Sequence, residues 1–126
     1  MGTGTGILAI AAAKLFPRST IAAFDTDPDA ITIARQNTAL NNVNCINFSV
    51  GSISETTASA NLVCANLTAP AIIELLPHLV GATCGRLLLS GVLDSQVEQI
   101  SVRLREVGIN DVVETKQDGE WVAIIV

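Results

Sequence analysis

The chain has 126 residues, 49% of them hydrophobic, and a formal net charge of −5. That length fits one small domain with a real core and leaves little room for a second. The acid excess argues against direct nucleic-acid binding, which needs a basic patch, and is compatible with a basic protein substrate; no uncharged apolar run is long enough to span a membrane, and no basic segment precedes the first apolar stretch as in a secretory signal.

Gly2-Thr3-Gly4-Thr5-Gly6 opens the chain, and an alanine-rich apolar run follows at once. Glycine permits positive φ and lets a ligand approach main-chain atoms that a Cβ would shield. The N–H groups at the start of the next helix have no internal partner and carry partial positive charge, so such a loop suits a carboxylate or phosphate. The run predicts a helix from about Ile7 to Leu15, ended before Pro17. A short buried strand, about Thr20 to Phe24, then leads to Asp25. An acid at a strand tip suits a ribose diol, because a carboxylate accepts two hydroxyl hydrogen bonds. Loop, helix, strand and acid in this order predict a nucleoside-containing cofactor. The dinucleotide fingerprint is G-x-G-x-x-G. Here the third glycine comes one residue early, which disfavours NAD and FAD.

Asp27 before Pro28 reads as a helix N-cap with proline at the first helical position. The helix continues to about Leu40 and closes at the Asn41-Asn42 turn. A strand from about Cys45 to Val50 ends at Gly51-Ser52, and residues 52–60 read as a polar loop. Leu62 to Ala65 forms the next strand, with Asn66 at its carboxyl end. In open α/β sheets ligands bind at that end. Asn66 reads either as a site residue or as a plain strand-end turn residue. A helix from about Pro70 to Leu79 is expected to end or kink at Pro77. Arg86 to Ser90 is the next strand, followed by Gly91. The last helix starts near Asp94 or Ser95, with Ser95 and Glu98 fitting a capping box. Val97, Ile100, Leu104 and Val107 fall on one apolar face, and Gly108 stops the helix. Two final apolar runs, Ile109 to Thr115 and Glu120 to Val126, flank Lys116-Gln117-Asp118-Gly119, and the Asp-Gly between them signals a hairpin.

Cys45, Cys64 and Cys84 are odd in number and widely spaced, without a C-x-x-C pattern, and read as reduced, buried and cytosolic. Nothing pairs one of them with a base as a nucleophile would require. His78 reads as an exposed helix-end residue and Trp121 as hairpin core rather than a substrate platform. No cluster has metal-ligand spacing.

The predicted class is α/β, a doubly wound, mostly parallel sheet with a C-terminal antiparallel hairpin. In that class the glycine loop follows a central parallel strand. Met1 stands where that strand's last residue belongs, so the first strand is expected to be missing, through a truncated or misassigned start.

The spacing Gly2-x-Gly4-x-Gly6 resembles motif I of S-adenosylmethionine-dependent methyltransferases, whose sheet is Rossmann-like. The whole stretch from Gly2 to Ala13 is similar to motif I of the PrmA-type ribosomal-protein methyltransferases. Asp25-Thr26-Asp27-Pro28, Ala34 to Asn41, Cys64-Ala65-Asn66-Leu67, Leu89-Ser90-Gly91-Val92-Leu93 with Gln96, and Gly119-Glu120-Trp121-Val122 resemble further blocks of that family, in its order. The resemblance implies methyl transfer from S-adenosyl-L-methionine to amino groups of a large-subunit ribosomal protein. It implies that the loop Gly2, Thr3, Gly4 and Gly6 meets the cofactor's amino-acid part and Asp25 the ribose. It places Ser52 and Ile53 near the adenine, and Asn66 at the transferable methyl and incoming amine. The chain departs from the pattern in Asn61, where an aspartate is usual, and in Leu67-Thr68-Ala69-Pro70, and the motif I acid and an amino-terminal recruiting domain are expected to be missing with the first strand. The rival readings are a small-molecule methyltransferase on the same fold and a non-catalytic, degenerate cofactor-binding domain.

Overall fold

The computed structural model describes residues 1–112 and 114–126. The chain divides into two compact units, Met1–Ser52 and Ile53–Val126. Each is built from alternating helices and strands.

In Met1–Ser52 the order is α1 (Ile7–Leu15), β1 (Ile21–Asp25), α2 (Pro28–Leu40) and β2 (Ile46–Val50). The strands β1 and β2 pair in parallel, from Ile21 against Ile46 to Asp25 against Val50. Parallel pairing needs a crossover connection, and α2 supplies it. Ala9, Ala23, Ile31, Ala34 and Phe48 form the core, with Ile21 and Ile46 packed against it. The small alanines let α1 and α2 lie close to the strands. At the start of α2, Asp27 Oδ1 accepts the Asp29 N–H at 2.9 Å, and Pro28 takes the first turn. The expected cap is present because proline's fixed φ and missing N–H suit that position. Asn42, at φ 55°, turns the chain out of the helix.

In Ile53–Val126 the order is β3 (Ala60–Asn66), α3 (Ala69–Gly81), β4 (Thr83–Leu93), a single 3₁₀ turn at Asp94–Gln96, α4 (Val97–Glu106), β5 (Glu114–Asp118) and β6 (Trp121–Ile125). The sheet order is β3-β4-β6-β5. The β3–β4 pair is parallel, and the two pairings of β6 are antiparallel. Leu76, Leu79, Leu87, Leu89, Ile100 and Leu104 are among its buried residues. The hairpin turns on Gly119 and Glu120, with Asp118 opposite Trp121, so Lys116 to Asp118 belong to the strand. Every residue of β5 is exposed, and its charges suit a sheet edge.

Three expectations for this unit change. Pro77 does not end α3, which runs on to Gly81. Proline cannot donate to the carbonyl four residues earlier. That carbonyl, Ile73 O, instead accepts the Arg103 guanidinium from α4 at 3.4 Å. Ser95 and Glu98 form no capping box. The Gln96 side chain accepts the Leu93 N–H at 3.0 Å, and α4 begins only after the 3₁₀ turn. Trp121 is 54% exposed, not core, because the alternation of β6 gives its inward positions to Val122 and Ile124. The cysteines also differ from expectation. None is in a disulfide, but Cys84 is exposed and Cys45 and Cys64 are half-buried. His78 lies in the last turn of α3 and is half-buried rather than exposed.

Candidate functional site

The glycine loop is a fixed structure. The Thr3 N–H donates to Phe24 O at the end of β1, and the Gly6 N–H donates back to Thr3 O at 2.8 Å. The Gly4 N–H donates to Asp25 Oδ2 at 2.9 Å. From α2, the Asn37 amide donates to Thr5 O at 2.9 Å. Gly2, Gly4 and Gly6 all have positive φ, at 70°, 51° and 85°. The loop thus takes a path that β-carbons would strain, pinned from both β1 and α2.

The glycines serve different ends. A Cβ on Gly6 would meet Ala34 Cβ at 3.0 Å, so Gly6 lets α1 and α2 approach. Around the Cβ position of Gly4 there is open space. Helix α1 starts directly behind the loop, and its first internal bond is Ile10 N–H to Gly6 O. The N–H groups of Ile7, Leu8 and Ala9 precede that bond, as at any helix start.

Asp25 does more than the sequence suggested. Its Oδ1 accepts the Asp27 N–H at 3.0 Å while its Oδ2 holds Gly4. A carboxylate has about four acceptor positions, so two remain for a ligand. The Asp25 backbone carbonyl accepts the Gly51 N–H at 2.8 Å, tying β1 to the turn before the exposed Ser52. The bracing by Asp25 and Asn37 links residues far apart in the chain, and only the pairing of short polar residues with a glycine loop hinted at it.

In the second unit, Asn66 ends β3 and is exposed. The Leu67 N–H donates to Ser90 O at 3.1 Å, which binds the end of β3 to β4. Beside it β4 bulges: between Leu89 and Val92 its pairing with β6 slips by one residue, and Gly91 sits there at φ 82°. Ile53, in contrast, is buried, at 6% exposure. Burial pushes the Cys64 thiol up from its ordinary range. A hollow lined by Lys14, Pro17, Asn42 and Cys45 lies at the carboxyl ends of α1 and α2. It adjoins the amino end of β2, the wrong end for a ligand site in a parallel sheet.

The family model for ribosomal protein L11 methyltransferase (PrmA) matches residues 1–126. The chain belongs to that family. A ribosomal protein L11 methyltransferase from Myxococcus xanthus (strain DK1622) is 40% identical over 124 residues, which cover 98% of this chain and 42% of the relative. The chain spans less than half the length of the curated relatives it matches, from 39% to 47% for three of them. Among solved structures, ribosomal protein L11 methylase from Lactobacillus delbrueckii subsp. bulgaricus superposes with a TM-score of 0.90 at 31% identity, covering 99% of this chain and 66% of that one. An RNA methyltransferase from Salinibacter ruber, solved with S-adenosyl-L-homocysteine, has a TM-score of 0.73 at 18% identity, covering 98% and 74%. That likeness is one of fold: the chain shares the Rossmann-like α/β architecture of the methyltransferases, as the order of glycine loop, strands and hairpin predicted. Among the described residues, no group of His, Cys, Asp and Glu could hold a metal ion, and no helix is long and apolar enough to cross a membrane.

Proposed function

We propose that this chain is the S-adenosylmethionine-binding, methyl-transferring part of a protein methyltransferase acting on amino groups of ribosomal protein L11. The observation that carries the reading is the loop held between Asp25 and Asn37, with open space at Gly4 and a helix N-terminus behind it. The membership in PrmA and the S-adenosyl-L-homocysteine bound by the Salinibacter protein support the choice of cofactor.

The residues present fit that group. The orphan N–H groups at the start of α1 favour its carboxylate. The two remaining acceptor positions of Asp25 suit a ribose diol. The loop residues Gly2, Thr3, Gly4 and Gly6 shape the approach, and Ser52 and Ile53 are assigned to the adenine end. Bound there, S-adenosylmethionine supplies a methyl group already activated on a sulfonium. The protein then has to position the acceptor and keep its amine neutral. The Asn66 side chain makes no hydrogen bond to another described residue, and its Oδ1 is assigned to accept an N–H of the incoming amine. That bond would orient the amine's lone pair for attack; as the N–C bond formed, the sulfonium S–C bond would break, S-adenosyl-L-homocysteine would be released and the amine's proton would leave to solvent. The reaction is assigned to the cytoplasm.

Initial rates of methyl transfer to ribosomal protein L11, with Asn66→Ala beside the wild type, test this. The expected result is transfer to L11 by the wild type, with turnover in the variant falling more than cofactor affinity. Equal loss of both would remove Asn66 from the acceptor, and transfer to small amines but not to L11 would favour a small-molecule enzyme.

A further inference from the structure

The bulge in β4 is the feature that the reaction scheme leaves unexplained. Its pairing with β6 runs in register to Leu89, then resumes at Val92. Bulges of this kind bend a strand and re-aim side chains next to sites. The residue at the bend, Gly91, holds φ 82°, in the left-handed region that favours glycine. A Cβ built on it would lie 2.6 Å from Leu67 O and 2.8 Å from Asn66 Oδ1. Both distances are shorter than any real carbon contact. Both atoms lie at the carboxyl end of β3, and neither is the far end of a long, yielding side chain. The Asn66 carboxamide therefore rests in space that exists only because residue 91 has no side chain. The Leu67 N–H to Ser90 O bond locks the two strand ends together at this point.

We propose that Gly91 is a positioning residue: its missing side chain sets where the Asn66 carbonyl stands, and so where the acceptor amine is held. The proposal rests on the role of Asn66 given above. Gly91 touches no reactant, and its effect passes through Asn66.

The test must separate this from ordinary backbone strain. Gly108 provides the control, because it has φ 90° in the same unit and no atom within 4 Å of its Cβ position. Gly91→Ala and Gly108→Ala both strain a left-handed residue, but only the first adds a Cβ against Asn66. Three quantities are measured for each variant of the chain: turnover with ribosomal protein L11, affinity for S-adenosyl-L-homocysteine, and the Asn66 side-chain amide resonances. Expected for Gly91→Ala are a turnover loss of about tenfold or more, affinity within about twofold, and shifted Asn66 resonances. Gly108→Ala should leave all three near the wild type. In an Asn66→Ala background, Gly91→Ala should cost no further turnover, since the two act as one unit. If alanine prevents folding, Gly91→Asn replaces it, since asparagine tolerates the left-handed φ and still carries the Cβ. Turnover and affinity falling together, or an undiminished loss in the Asn66→Ala background, would overturn the proposal. A wild-type chain that transfers no methyl to L11 counts against the proposed function instead. The resonances then decide for Gly91, which fails if they shift no more in Gly91→Ala than in Gly108→Ala.

Discussion

Asp25→Ala tests the loop and the ligand site together. The wild-type carboxylate accepts two main-chain N–H bonds, from Gly4 at 2.9 Å and from Asp27 at 3.0 Å. A hydrogen bond to a charged group contributes about 1.5–3 kcal/mol, and less where water screens it. Asp25 is half-buried and both bonds are exposed, so each is set below that range, at about 1 kcal/mol. Losing both should destabilise the fold by about 2 kcal/mol. For a domain of this size that lowers Tm by roughly 6–10 °C. Affinity for S-adenosyl-L-homocysteine should fall by a further 1–3 kcal/mol or so, about 5- to 150-fold, as the ribose loses its acceptor and the loop its brace. Differential scanning calorimetry reads the first effect and isothermal titration the second. A lowered Tm with unchanged affinity would leave Asp25 as a brace alone. An unchanged Tm would refute the bracing.

Gly6→Ala should cost about 2 kcal/mol or more in chemical denaturation, from left-handed strain and the 3.0 Å approach to Ala34 Cβ. Arg103→Ala should be costlier beside Pro77 than in a Pro77→Ala background, where residue 77 donates to Ile73 O itself; a double-mutant cycle should show coupling of about 0.5–1 kcal/mol. Leu76→Ala, at a fully buried side chain, should lose about 2–5 kcal/mol of stability in urea titration. In thiol labelling, the exposed Cys84 should react first and Cys64 more slowly, with the Cys64 rate still climbing at alkaline pH, because burial raises the Cys64 pKa and only the thiolate reacts. Equal rates across that range would contradict the burial argument.

Local chemistry made much of the fold legible. The helix Ile7–Leu15 was bounded by Gly6 and Pro17, and Asp27-Pro28 marked the next helix start, because these residues act through their own backbone. The misreadings lie where a distant partner decides. Pro77 stays helical because Arg103, on another helix, satisfies the carbonyl that proline leaves. Gln96, not Ser95, reaches back to Leu93 because the strand runs on three residues further than its apolar pattern. Trp121 faces outward because the turn falls at Gly119-Glu120, which sets the register of β6. Asp25 and Asn66 were singled out for their places at strand ends, and each does end a strand. The second task of Asp25 and the space that Gly91 leaves for Asn66 depend on contacts between segments about twenty residues apart, and no local spacing encodes them.

The central claim is that the braced glycine loop and Asp25 serve S-adenosylmethionine. Calorimetric titration of the chain with S-adenosyl-L-homocysteine, beside NAD, tests it most directly. The account predicts saturable binding of S-adenosyl-L-homocysteine and no binding of NAD. Binding of NAD, or of neither ligand, would contradict it.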